Sequence, residues 1–375
     1  MNKNKAVDKN LSNFFDDNMI NYKLSSTESG KIMMLKLLLS VLVVYVHSYA
    51  TEIKLTSGNV NFITPVWLEN LKFVFSYCVA ASAVPGFFLL ASILLYRKDF
   101  GYVKNIRKKI KTLLIPYVLL NTFWIFAFWF GQMLPKFGVY FANPENIVAN
   151  WGIYGWLKAY GLVDPGKLPM LYPLWFVRNL FVLNIVAIVI KKAIDCAPKI
   201  GLLVVAVMLL VPTGLDGYTT GSLIFWILGY YIVKYNVRDS CLNGRKATVL
   251  LMYLFCLVCD FFAKGSIVGY GVHKLTCGVG ILAFYVLGEL LLKGRYADIL
   301  KYLSTFSITI YFFHEMSLGI LRKICGRIFV HTTFVQFMEY IFIPIVIIAW
   351  CIVLSLVLRR FCPKAYGIIT GNRGW

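Results

Sequence analysis

An all-α, polytopic membrane protein of about ten transmembrane helices is the fold class this sequence predicts, and three observations carry it. Hydrophobic residues fill 59% of the 375 positions and charged residues 15%, against about 45–50% and about 25% in soluble domains. The apolar runs are continuous and near twenty residues, the length that crosses a hydrocarbon core as helix, and they lack the alternation of barrel strands. Lysine and arginine outside these runs crowd into the loops of one side. That bias accounts for the net charge of +21 without any nucleic-acid partner, and it predicts that both termini are cytoplasmic. One loop opposes it, because Arg322, Lys323 and Arg327 cluster on the side assigned outside.

The chain divides into a polar cytoplasmic tail (1–31), a transmembrane domain (32–358) and a short cytoplasmic tail (359–375). No cleavable signal is expected, since the first apolar run is too long for one. That run, 32–50, holds Lys36 and His47 as its ionisable groups besides two tyrosines. Eleven helical steps of about 100° end about 20° past three turns, so both project from one face, about 16 Å apart along the axis. Intramembrane ionisable groups usually face a cavity or a partner. A snorkelling lysine with a packed histidine is the competing reading.

The second run, 71–96, leads into a basic segment and a third run, 112–134. Arg107, Lys108 and Lys111 fall at i, i+1 and i+4 beside that run, where they can converge on one anion such as a phosphate. Positive-inside topology or anionic lipid headgroups would explain them as well. The long loop after the third run carries Tyr140, Phe141, Trp151, Tyr154, Trp156 and Tyr160, suited to an interfacial helix or to stacking on a sugar.

The fourth run, 173–190, opens PLWFVRNLFVLN. Trp175 suits an interfacial belt, and Arg178 is near enough to the outer edge to snorkel; together Arg178 and Asn179 place a cation and an amide where a cavity needs donors, in a structural or substrate-orienting role. Runs at 200–212, 218–235, 247–263 and 275–292 follow. Cys256 and Cys259 form a CxxC, but no second Cys or His pair completes a zinc site, so they read as packing residues and no metal is expected. Asp260 and Glu289 read as cavity residues or, more simply, as solvated acids at helix ends. The ninth run, 303–321, places Ser307, Tyr311 and His314 on one side of a helix, lining a polar cavity or meeting a neighbouring helix. His314-Glu315 is not a zincin motif, because no second histidine follows at the required spacing. A tenth run, 335–358, completes the set, and no inverted repeat is visible.

Several of these segments together resemble the acyltransferase 3 family of integral membrane acyltransferases. That family carries an arginine in its first span followed, after ten residues, by a histidine; Lys36 and His47 hold that spacing here, with lysine for arginine. Its second span has a phenylalanine-rich run into Ser-Gly, similar to residues 84–93, where Ala91-Ser92 stands for Ser-Gly. A basic stretch into Pro-Tyr is matched by Arg107 through Pro116-Tyr117. Residues 173–178 are similar to its Trp-Phe segment, and Ser307, Tyr311 and His314 to its late Ser…Tyr…His span.

The resemblance implies acyl transfer, usually of acetyl from acetyl-CoA, to a hydroxyl of a glycan or lipid-linked sugar in a cell membrane, such as a bacterial inner membrane. Acyl-CoA is then a co-substrate, and no bound cofactor is implied. Arg107, Lys108, Lys111 and Lys36 would hold the donor. His47 would serve as general base, or as an acyl-histidine relay, and Trp175, Arg178, Asn179, Ser307, Tyr311 and His314 would line the cavity. A glycan or lipid transporter or flippase is the alternative class, with the same residues lining a path.

Overall fold

The structure is a computed structural model that describes residues 23–49, 52–55, 58–61, 63–97, 101–135, 141, 147–163, 168–211 and 220–372. Tyr140, most of the N-terminal tail and the last three residues lie outside these. Helix α1 spans Ser26–Val46, and its start is fixed by a reciprocal cap. The Glu28 amide donates to Ser25 Oγ (3.1 Å) and the Ser25 amide to Glu28 Oε2 (2.7 Å), which satisfies two amides that a helix start leaves open. The helix ends at Val46, so His47 is its C-terminal cap rather than a mid-span residue.

Two short antiparallel strands follow, β1 (Glu52–Leu55) and β2 (Gly58–Asn61). Then come α2 (Val66–Tyr96), α3 (Tyr102–Met133), α4 (Ile153–Ala159), α5 (Tyr172–Cys196), α6 (Pro198–Leu210) and α7 (Thr220–Lys234). The chain continues through α8 (Lys246–Phe262), α9 (Gly269–Leu292), α10 (Ala297–Ser304), α11 (Ser307–Ile328), α12 (Thr333–Phe361) and α13 (Pro363–Thr370).

Each of the ten expected runs is helical, with shifted ends, and the architecture is all-α. Six helices among the described residues (α1, α2, α3, α5, α9 and α12) are long and apolar enough to cross a membrane. The others fall short for visible reasons. α6, α7 and α8 are short, and α11 is interrupted by Glu315, Arg322 and Lys323. The basic segment at 102–111 is no loop: it is the first part of α3, joined through a π-helical turn at Ile110–Leu114.

Helix α1 is the axis of the bundle and packs on α2, α9, α10, α11 and α12. Met34, Leu35, Leu39 and Val44 on it are at most 1% exposed. Two glycines let neighbours close on it. A Cβ at Gly86 of α2 would sit 2.7 Å from Leu39 Cδ1, and one at Gly288 of α9 would sit 3.0 Å from Met34 Cβ. Small residues of this kind drive helix association where lipid tails are as apolar as leucine. Ser92 of α2 meets a third glycine, Gly229 of α7, and its hydroxyl donates to Trp226 O (2.6 Å).

The two lone acids read from the sequence as solvated are both engaged. Glu289, near the end of α9, accepts from Lys31 (2.7 Å), Lys293 (3.3 Å) and Lys246, and Lys31 also reaches Asp239 (2.8 Å). Asp260, 2% exposed on α8, pairs with His273 of α9 (2.9 Å). In both cases a helix-end carboxylate faces a neighbouring helix instead of water, so burial had to be matched by a charged or donating partner.

Candidate active site

At the end of α1 opposite Lys31, three segments remote in sequence converge on His47. The first is α1 itself, whose last turn holds the His47 amide on Val43 O (3.3 Å). The second is the turn that opens α5, where the Tyr172 hydroxyl lies 2.9 Å from His47 Nδ1. Tyr172 is held there because Tyr311 of α11 donates its hydroxyl to the carbonyl of Pro173. The third is α11, which presents His314 and Glu315. The His47 and His314 ring centroids are 5.2 Å apart, and Glu315 Oε2 lies 3.8 Å from His47 Nδ1.

The tautomer of His314 follows from its neighbours. Its Nδ1 is 2.9 Å from both Ile310 O and Tyr311 O, and since carbonyls only accept, Nδ1 carries the proton. Nε2 is therefore a lone pair. His314 is 0% exposed, and among the described residues neither its Nε2 nor Glu315 Oε2 has a hydrogen-bond partner. Two buried acceptors without a donor are costly, and such groups in a native fold need an explanation. Here both sit beside His47, so a hydroxyl entering between them would find acceptors waiting.

The same three residues are a possible cation site. Their donor atoms lie within 4.8 Å of one another, and two imidazoles with a carboxylate suit zinc. Tetrahedral bonds of about 2.0–2.1 Å place donors about 3.3 Å apart, closer than the 3.8 Å between His47 Nδ1 and Glu315 Oε2, so the side chains would have to move inward.

Of the residues singled out in the sequence, His47, Tyr311 and His314 meet at this site. Lys36 does not, being about 16 Å of helix rise away on α1. Arg107, Lys108 and Lys111 are exposed. Their helix is pinned level with the middle of α5 by Asn105 Nδ2 on Asn184 Oδ1 (3.3 Å) and the Tyr102 hydroxyl on Ile185 O (2.9 Å). That is about 18 Å of helix rise from Tyr172. Arg178 donates to Gly161 O (2.7 Å) and approaches Asn179 Oδ1 (3.4 Å), so this pair ties down the loop after α4. Trp175 packs near Phe88 (centroids 6.4 Å). Ser307 donates to Ser304 O (2.9 Å) in its own turn, about 10 Å of rise from His314.

Two members of the cluster were not picked as site residues from the sequence: Tyr172, and Glu315, which was weighed only as part of a zincin motif. Both stand beside residues that were noticed, Pro173 and His314, and an acid within an apolar run was the available signal for Glu315.

Comparison with known proteins bears on what this site does. The family model for the acyltransferase 3 family, described as an acyltransferase domain, matches residues 31–358. The chain is also 22% identical over 372 residues to the succinoglycan biosynthesis protein ExoH of Rhizobium meliloti (strain 1021), covering 93% of this chain and 94% of that protein. No solved structure matches it.

Proposed function

The chain belongs to the acyltransferase 3 family, and we propose that it moves an acyl group, acetyl in the simplest case, from acyl-CoA to a hydroxyl of a glycan or lipid-linked sugar. The observation that carries this reading is the convergence of His47, His314, Glu315 and Tyr172 at one end of the bundle. The relative's role in succinoglycan biosynthesis supports a glycan acceptor.

In this mechanism the acceptor hydroxyl hydrogen-bonds to an imidazole lone pair, and its oxygen attacks the thioester carbonyl. His47 takes the hydroxyl proton as the C–O bond forms. The tetrahedral intermediate then collapses, the C–S bond breaks, and the proton passes from His47 to the departing CoA sulfur. Glu315 stabilises the transient imidazolium across 3.8 Å. His314, with its proton fixed on Nδ1, offers Nε2 only as an acceptor and so holds a neighbouring hydroxyl of the acceptor while the reacting one faces His47. General-base assistance of this kind is worth about 10²–10⁴-fold. The basic start of α3, with Arg107, Lys108 and Lys111, and Lys36 on α1 bind the CoA phosphates from the cytoplasm, and the pantetheine arm spans the distance to His47.

The test is mass spectrometry of the host's surface glycan with and without this chain, and with a His47→Ala chain inserted at the wild-type level. The reading expects an acyl ester that depends on His47; an unchanged ester content in the His47→Ala strain would remove it.

A further inference from the structure

Arg322 is one of three cations that run against the charge bias, and its surroundings supply a reason. It lies seven residues after Glu315 on α11, about 20° short of two full turns, so it shares that face about 10 Å further along. Its half-buried side chain is within electrostatic range of Glu315, Tyr172 and Glu339, and of His47. Lys72 of α2, 6% exposed, interacts with the same guanidinium and with Glu339 and Glu69.

None of these carboxylates is committed to Arg322. Among the described residues no carboxylate oxygen comes within 4.0 Å of it, nor does any group hydrogen-bond to it. Glu315 is turned toward His47 (3.8 Å) and Glu339 toward His331 (3.5 Å). The guanidinium is half-buried and hydrogen-bonded to none of its described neighbours, and Lys72 adds a second cation beside it. An incoming oxyanion would give the fork the partner it lacks. The guanidinium fork matches carboxylate and phosphate geometry bidentately.

We propose that Arg322, assisted by Lys72, forms an anion subsite next to His47 that takes a carboxylate or phosphate borne by the acceptor. This rests on the acyl-transfer reading and names the acceptor class within it: the sugar, or the lipid carrier to which it is joined, is anionic near the hydroxyl that is acylated. Binding the charge at Arg322 would set which hydroxyl reaches the imidazoles.

The test is equilibrium binding of three tritiated probes to the detergent-purified full chain, without acyl donor. The probes are dodecyl glucoside, dodecyl glucuronide and dodecyl phosphate-linked glucose. One of the anionic probes should bind about tenfold more tightly than the neutral glucoside, as one charge-assisted hydrogen bond allows. A gain for the glucuronide assigns the charge to the sugar, and a gain for the phosphate assigns it to the carrier. Arg322→Gln should bring the preference close to one, Arg322→Lys should keep part of it, and Lys72→Gln should narrow it less. Equal binding of all three by the wild type, or a preference that survives Arg322→Gln, overturns the subsite. Because no turnover is involved, failure of bound probes to be acylated on adding acetyl-CoA counts against the acyl-transfer reading and leaves the binding result standing.

Discussion

The two ends of α1 carry charge in opposite ways. At its start, Lys31 shares Glu289 with Lys246 and Lys293 and also holds Asp239, so each charge there meets an opposite one. At its other end, His314 Nε2 and Glu315 Oε2 are buried acceptors with no donor among the described residues. A satisfied network is what helices need to lie together with ions between them. An unsatisfied one costs stability and persists where it serves another purpose. In the proposed reading the contrast separates a structural cluster at one end of α1 from a functional one at the other.

The sharpest way to break that contrast is at His47. His47→Ala should lower acyl transfer to the glycan by at least about 10²-fold, the lower bound for losing a general base, with Tm and membrane insertion close to wild type. Next is its acidic neighbour. Glu315→Gln keeps shape and removes the charge proposed to steady the imidazolium, so kcat should fall roughly 10–100-fold, with the KM for acyl-CoA little changed. Because the carboxylate now sits buried and only loosely opposed, Tm should hold or rise in this variant. A fall in Tm with kcat intact would turn this end into a structural cluster as well.

The ion network should respond in the reverse sense. Glu289→Ala leaves Lys246 without this partner and Lys31 with Asp239 alone, and should lower stability by about 2–3 kcal/mol, somewhat below the range for a fully buried pair, read as a reduced Tm with kcat retained below it. The smallest effect is expected at the start of α3. If these residues hold the donor as proposed, Lys108→Gln with Lys111→Gln should raise the KM for acyl-CoA only several-fold, since Arg107 remains, and leave that for the acceptor alone. An unchanged donor KM would return these lysines to topology.

Much of this architecture was legible in the chain, because apolar runs of helical length survive reading in any order. What the runs did not contain was partnership. His47 and Tyr172 are 125 residues apart and meet at 2.9 Å, a contact that exists only once α5 and α11 close on α1. Glu289 and Asp260 looked like solvated helix ends for the same reason: their partners, Lys31, Lys246 and His273, come from other helices or across a turn. The Lys36–His47 spacing put both residues on one helix, but His47 caps α1 and Lys36 lies about three turns from the cluster. Arg178 and Asn179 had the polarity of a cavity lining, yet Arg178 is spent on the carbonyl of Gly161, which sequence could not weigh against an empty cavity.

The central claim, that the His47 end is the reaction centre and the Glu289 end is structural, is tested most directly by CoA release. Purified wild-type, His47→Ala and Glu289→Ala chains are given acetyl-CoA and the glycan acceptor well below their Tm values, and free thiol is followed with time. The account predicts acceptor-dependent release at the wild-type rate from Glu289→Ala and none above background from His47→Ala. Wild-type release from His47→Ala, or its loss from a folded Glu289→Ala chain, would contradict it.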